Sequence, residues 1–195
     1  LAHQGTFYED NHYPKGDVYD DETKSQYYYH AHRPEAGEHG HFHTFVRSAA
    51  IPSGVKPAPY NGPNERPLGK DSICHLVAIS MNSPGYPIAL FSTNRWVTGE
   101  TFYAASDIGS ILDAFEIDHT FPCWATNKWI TSMICLFRPQ IEALAAARDR
   151  KIAAWKTERD DGDVYEDRAL EVTSFVEIDV DDQVAAVKQA LSANR

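Results

Sequence analysis

The sequence is poor in cysteine, in basic clusters and in long apolar runs, and each shortage closes off a class of function. Three cysteines, Cys74, Cys123 and Cys135, make an odd number with no CxxC spacing, which argues against a disulfide framework and against a cysteine-built zinc site. Lys and Arg number 18 against 28 Asp and Glu, for a net charge of -10. With no dense Lys/Arg stretch there is no stripe to track phosphates, so nucleic acid is not an expected partner. The longest apolar runs, Leu76 to Met81 and Trp129 to Phe137, are far too short to cross a bilayer, and no membrane span is expected. The GxSxG, Walker, GxGxxG and HExxH signatures are all missing, which removes the strongest motif-based enzyme assignments. The first residues carry no signal-peptide pattern, so a cytoplasmic location is expected; the chain opens at Leu1 rather than a methionine, which leaves room for a processed leader.

Aromatic residues and histidines are what the chain has in quantity. Of its 195 residues 43% are apolar, with 9 Phe, 4 Trp and 10 Tyr, enough to bury a core as a single domain over 1–195. Gln26 to Arg33 reads as a strand rich in tyrosine and histidine, Glu35 to Gly40 as a turn, and His41 to Arg47 as a strand again, giving a hairpin over residues 26–47. Ile51 to Lys70 holds five prolines and three glycines and reads as a long surface loop, either a lid or a plain insertion. Ile73 to Met81 and Pro87 to Thr93 form a second hairpin around Asn82-Ser83-Pro84-Gly85-Tyr86.

Helical spacing takes over afterwards. Ser106 and Asp107 stand at an N-cap position ahead of Ile108, Ile111, Leu112 and Phe115. Ala125 to Phe137 reads as a buried helix, and Pro139 either kinks it or opens the next, which stops before Asp160-Asp161-Gly162. Ala169 to Val180 alternates with one slip, as a bulged strand does, and Asp182 to Ala193 forms a last helix. Strands cluster early and helices late, so the expected class is α+β: an antiparallel β-sheet built from hairpins in the first half, with helices from the second half packed on it.

Seven of the nine histidines fall within the first 43 residues, and His30, His32, His39, His41 and His43 crowd the hairpin. Residues two apart on a strand share a face, so His30 pairs with His32 and His41 with His43. With His32 opposite His41 and His30 opposite His43, all four rings project from one face; a slip of one residue separates the pairs. The first register is the one expected. Four neutral imidazoles, or three with Glu38 as reserve ligand or general base, suit Zn, Fe or Cu and not Mg or Ca, which want oxygen. His75, on the next strand, is an additional candidate ligand. The bland alternative is a hydrogen-bonded polar face or a protonation-sensitive cluster.

In Asn94-Arg95-Trp96-Val97-Thr98-Gly99-Glu100, Arg95 is a candidate to grip an anionic substrate group through a bidentate contact, the alternative being a salt-bridged turn. The pattern His41-x-His43 with His75 downstream resembles the metal site of the cupin superfamily, but Thr44-Phe45-Val46-Arg47 follows where that family places a glutamate; the likeness is one of ligand chemistry. The run Tyr27 to His32, then Gly37 to His43, together with Thr93 to Glu100, resembles a bacterial family of domains of unknown function and covers most of the chain. That resemblance implies no activity. Two functions are therefore carried forward: a metal-binding protein, with a small-molecule metalloenzyme as its sharper form, and a non-catalytic structural or interaction module, an accessory subunit or homo-oligomer, with histidines and tyrosines as a recognition surface.

Overall fold

A computed structural model describes residues 8, 11–31, 37–159 and 162–193. Six strands form one antiparallel sheet whose order follows the chain: β1 (His12–Tyr19), β2 (Ser25–His30), β3 (Gly40–Arg47), β4 (Ile73–Met81), β5 (Pro87–Thr93) and β6 (Val172–Glu177). Between β5 and β6 come helices α1 (Arg95–Thr98), α2 (Ala105–Leu112), α3 (Trp124–Leu136) and α4 (Arg138–Glu158), and α5 (Val180–Ala193) follows β6. The class is α+β, as the clustering of strand and helix periods implies. Among the described residues no helix is long and apolar enough to cross a membrane.

The two faces of the sheet have different jobs. Tyr13, Tyr29, Phe42, Ile79, Leu90 and Val176 stand opposite one another across all six strands, and this row packs against Ile108, Ile111, Ile130, Met133, Ile141 and Leu144 of the helices. Burying one such side chain is worth about 1.5–3 kcal/mol, so a one-residue slip that turned the row outward would cost more than a domain's usual stability margin. Parity is therefore set. Tyr27, on the same face, donates its hydroxyl to Asn127 Oδ1 at 2.6 Å, and Asn127 Nδ2 donates to the His119 and Phe121 carbonyls, tying β2 to the start of α3.

Four expectations are corrected in detail. In the first hairpin His30 lies opposite His41, and Tyr28 opposite His43, two residues away from the expected pairing of His32 with His41 and His30 with His43. A shift of two keeps every side chain on its face, which is why burial of Tyr29 and Phe42 tolerates it. Second, β1 was not anticipated: Pro14, Gly16 and Asp17 break its alternation, Gly16 and Asp17 both take positive φ (87° and 62°), and the register jumps between Tyr13 and Val18. Third, α2 begins at Ala105 without a side-chain cap; its first N–H is met by Asp149 Oδ2 of α4 at 2.7 Å, a tertiary partner in place of the local one. Fourth, α3 buries only Asn127, Ile130, Met133 and Ile134, one face rather than the whole helix.

Pro139 opens α4 rather than kinking α3, consistent with proline in a first helical turn. The slip in the last strand is the register shift between Ser92 and Thr93 against β6.

Gly40 begins β3 with the end of β2 packed closely against it. A Cβ there would meet the His30 carbonyl oxygen and lie 2.6 Å from Tyr29 Oη; the carbonyl is main chain and cannot rotate away. Gly40→Ala is expected to destabilise the protein by about 1–3 kcal/mol, the usual cost of overpacking, as read by urea unfolding. An unchanged midpoint would show that the hairpin end yields freely.

Candidate metal centre

The face turned away from the helices carries the histidines. Following the pairing across the sheet, one row runs His12, His30, His41, Ser80, Ala89 and Glu177, and the next Tyr28, His43, Ala78, Phe91 and Phe175. Directly opposed residues have Cβ atoms about 4.5–5.5 Å apart, so the register itself brings imidazoles from β2 and β3 together. One ligand-capable atom from each of His30, His41 and His43 lies within 4.8 Å of the other two. Ring centroids are 5.6 Å apart for His30 and His41 and 4.7 Å for His41 and His43. Two imidazoles bound to one ion at about 2.0–2.1 Å place their centroids roughly 4.5–5.5 Å apart, so the rings need move little.

Each of the inner two rings is held from behind. Glu38 Oε1 makes a short hydrogen bond to His41 Nδ1, and its Oε2 accepts from Ser80 Oγ at 2.7 Å. His43 Nδ1 and His75 Nε2 are 3.0 Å apart. With Nδ1 engaged in both, Nε2 is the nitrogen that His41 and His43 can bring to an ion; the Glu38 carboxylate accepts from His41 Nδ1–H and so fixes that ring's tautomer, while in the His43–His75 pair either ring can donate. Phe91 stands edge-on to His41 at 5.0 Å, and Phe45 packs on His75 at 5.2 Å, so the surroundings are apolar. His41, His43 and His75 are only 3%, 1% and 2% exposed.

Burial sets the protonation state. It pushes the His43 pKa well below that of free imidazole, helped by His41, His75, His30 and His12, and with Arg148 and His41 it lowers His75 to about 3. Both are neutral at physiological pH, the form a metal requires. Glu100, which accepts the His75 backbone N–H at 2.7 Å, moves the other way: burial raises it to about 7 against the pull of Arg148.

The remaining candidates separate from this group. His32 lies outside the described residues. Glu38 stands behind His41 as a hydrogen-bond partner, and His75 stands behind His43. Arg95 is buried, with Nη1 paired to Glu166 and Nη2 donating to the Glu65 carbonyl at 2.8 Å; it ties the proline-rich loop to the 164–166 turn, the salt-bridged alternative. That loop is docked through Ala58 N–H to the Phe102 carbonyl, with Arg66 stacked on Tyr60 at 3.5 Å and on Tyr165 at 4.6 Å. A cavity of about 770 Å³ beside it is lined by Tyr60, Phe102, Ile152 and Tyr165, and among the described residues no histidine lines it. Ser80 and His12 were missed from sequence: Ser80 sits in an apolar strand, and β1 had no legible period.

An α+β protein with a chain-ordered antiparallel sheet, helices on one face and a histidine cluster on the other is the class that fold and site define. The chain belongs to the DUF6969 family, whose model, described as a domain of unknown function, matches residues 1–178. No curated protein and no solved structure matches it.

Neutral burial of His43 and His75 gives the metal-free protein a signed pH dependence. Between the free-imidazole value of 6.5 and the lowered folded values, the unfolded chain binds two protons that the folded chain refuses. Their stabilisation is present above 6.5 and is lost as pH falls. Glu100 has the opposite sign: folded Glu100 holds a proton between 4.5 and about 7, so its contribution is present below 4.5 and lost as pH rises through 7. Each unmatched proton is worth about 1.4 kcal/mol per pH unit. Calorimetry should show stability falling between pH 6.5 and 4.5, and His75→Gln should remove about one proton's share of that slope. An unaltered slope in the variant would contradict the neutral His75.

Proposed function

We propose that this chain is a transition-metal-binding protein that holds its ion on His30, His41 and His43. The observation that carries the reading is the convergence of one nitrogen from each of these three side chains within 4.8 Å. An all-imidazole donor set suits Zn, Fe(II) or Cu and gives Mg and Ca nothing they prefer. Glu38 and His75 engage Nδ1 of His41 and His43, so two of the ligand rings are oriented before an ion arrives. His43, already neutral, has no proton to give up on binding.

Three protein ligands leave a coordination position open, which favours a metalloenzyme acting on a small molecule over a closed structural site. When bound, zinc would lower the pKa of a water ligand to about 7, whereas iron or copper would supply redox chemistry. The chain's own share is to keep that position dry and shaped: Tyr28, Phe45 and Phe91 wall the histidines, an apolar lining suited to a small organic substrate.

Metal content by plasma mass spectrometry on untagged protein tests the reading, beside a His30→Ala/His41→Ala variant whose folding is checked by circular dichroism. Near-stoichiometric metal in the native chain and none in the folded variant is expected. Trace metal only in the native chain, even after reconstitution with Zn, Fe(II) and Cu, would sink it. Glu38→Gln is expected to keep the fold and weaken metal affinity by about 10–100-fold, measured by competition with a chromogenic chelator; equal affinity would show that Glu38 does not orient His41.

A further inference from the structure

His12 lies at the outer end of the histidine row, directly opposite His30 on the edge strand. Its ring is 6.2 Å from His30, edge to face, and stacks on Tyr28 at 3.6 Å with an interplanar angle of 7°. Like His41 and His43 it has Nδ1 engaged from behind, here by Asp17 Oδ1 at 2.9 Å, so Nε2 is again the nitrogen it can offer. Asp17 is itself held: its Oδ2 accepts from Gln26 Nε2 at 2.6 Å, and Gln26 Oε1 accepts from Arg47 Nε at 2.7 Å. The carboxylate reaches this position because Asp17 adopts a left-handed backbone, φ 62°, after Gly16 at 87°, a conformation costly for most side chains and tolerated by Asp.

A carboxylate-oriented imidazole beside three converging histidines is the arrangement of a metal ligand and its outer shell. It is drawn back by more than the triad's own spacing. A centroid separation of 6.2 Å from His30 exceeds the roughly 4.5–5.5 Å of rings sharing an ion, so His12 must move inward to join the three. Its side chain is 44% exposed, and among the described residues the movement works against the Tyr28 stack and the Asp17 hydrogen bond.

We propose that His12 is a fourth, displaceable ligand of the centre, alternating between the Tyr28 stack and the ion. The inference rests on the three-histidine reading above. In the bound position His12 occupies the coordination site that an exogenous ligand would take; on the stack it leaves that site open. Three fixed histidines would hold the ion while the fourth gates access, and any small anionic ligand would compete with His12.

The test uses the full chain loaded with Co(II), read by its visible absorption, and azide as the competing anion. His12→Ala is expected to weaken cobalt binding by about tenfold or more, the loss that follows from removing a ligand or its support. It is also expected to tighten azide binding at the bound cobalt by about tenfold, because azide no longer has to displace a competing state. Added imidazole should restore the native spectrum to the variant, which a folding defect would not allow. Asp17→Asn should shift both readouts in the same direction by less. Equal cobalt affinity and equal azide affinity in native and His12→Ala protein would overturn the proposal and leave the three-histidine centre standing. A native chain that takes up no cobalt would overturn both.

Discussion

Burial of Tyr29 and Phe42 against the helices decides where the histidines go, because side chains on a strand alternate and sequence neighbours take opposite faces. Tyr29 and Phe42 belong to a row that continues through Ile79 and Leu90, and all four are buried in the helix-facing core. With these in place His30, His41 and His43 have no choice of face. The several kcal/mol held in that row fix the parity of the strands, so the core places the cluster on the other face whether or not an ion is bound.

His43 and His75 sit in an apolar setting that keeps them neutral. Phe45, Phe91 and Tyr28 pack around them, so protonating either would bury a charge away from water. The single carboxylate at the inner end, Glu38, is shared between His41 and Ser80, and the carboxylate at the outer end, Asp17, is shared between His12 and Gln26. Each acid thus fixes the direction of a ring while its second oxygen is fixed by the sheet. The result is that His41 and His12 are each oriented from behind through Nδ1.

Much of this was legible in sequence, for identifiable reasons. β4 and β5 have the bounds read from their apolar runs, since a strand buried on both faces leaves a short continuous apolar stretch between turn residues. The face shared by His30, His41 and His43 was legible because it depends on parity alone. The register was not: choosing between two pairings of equal parity depends on the turn and on the close packing of Gly40 against Tyr29, which no periodicity records. His12 was illegible because Pro14, Gly16 and Asp17 hide the strand that carries it. Arg95 reads locally only as a charged residue after a strand; its partner Glu166 lies 71 residues away, and local reading could not have found it.

X-ray absorption at the metal edge of the loaded protein asks most directly whether the histidines hold the ion. The expected first shell is nitrogen at about 2.0–2.1 Å, with the outer scattering of at least three imidazole rings. A shell of sulfur, or one of oxygen alone without imidazole scattering, would place the ion elsewhere and contradict a centre built on His30, His41 and His43.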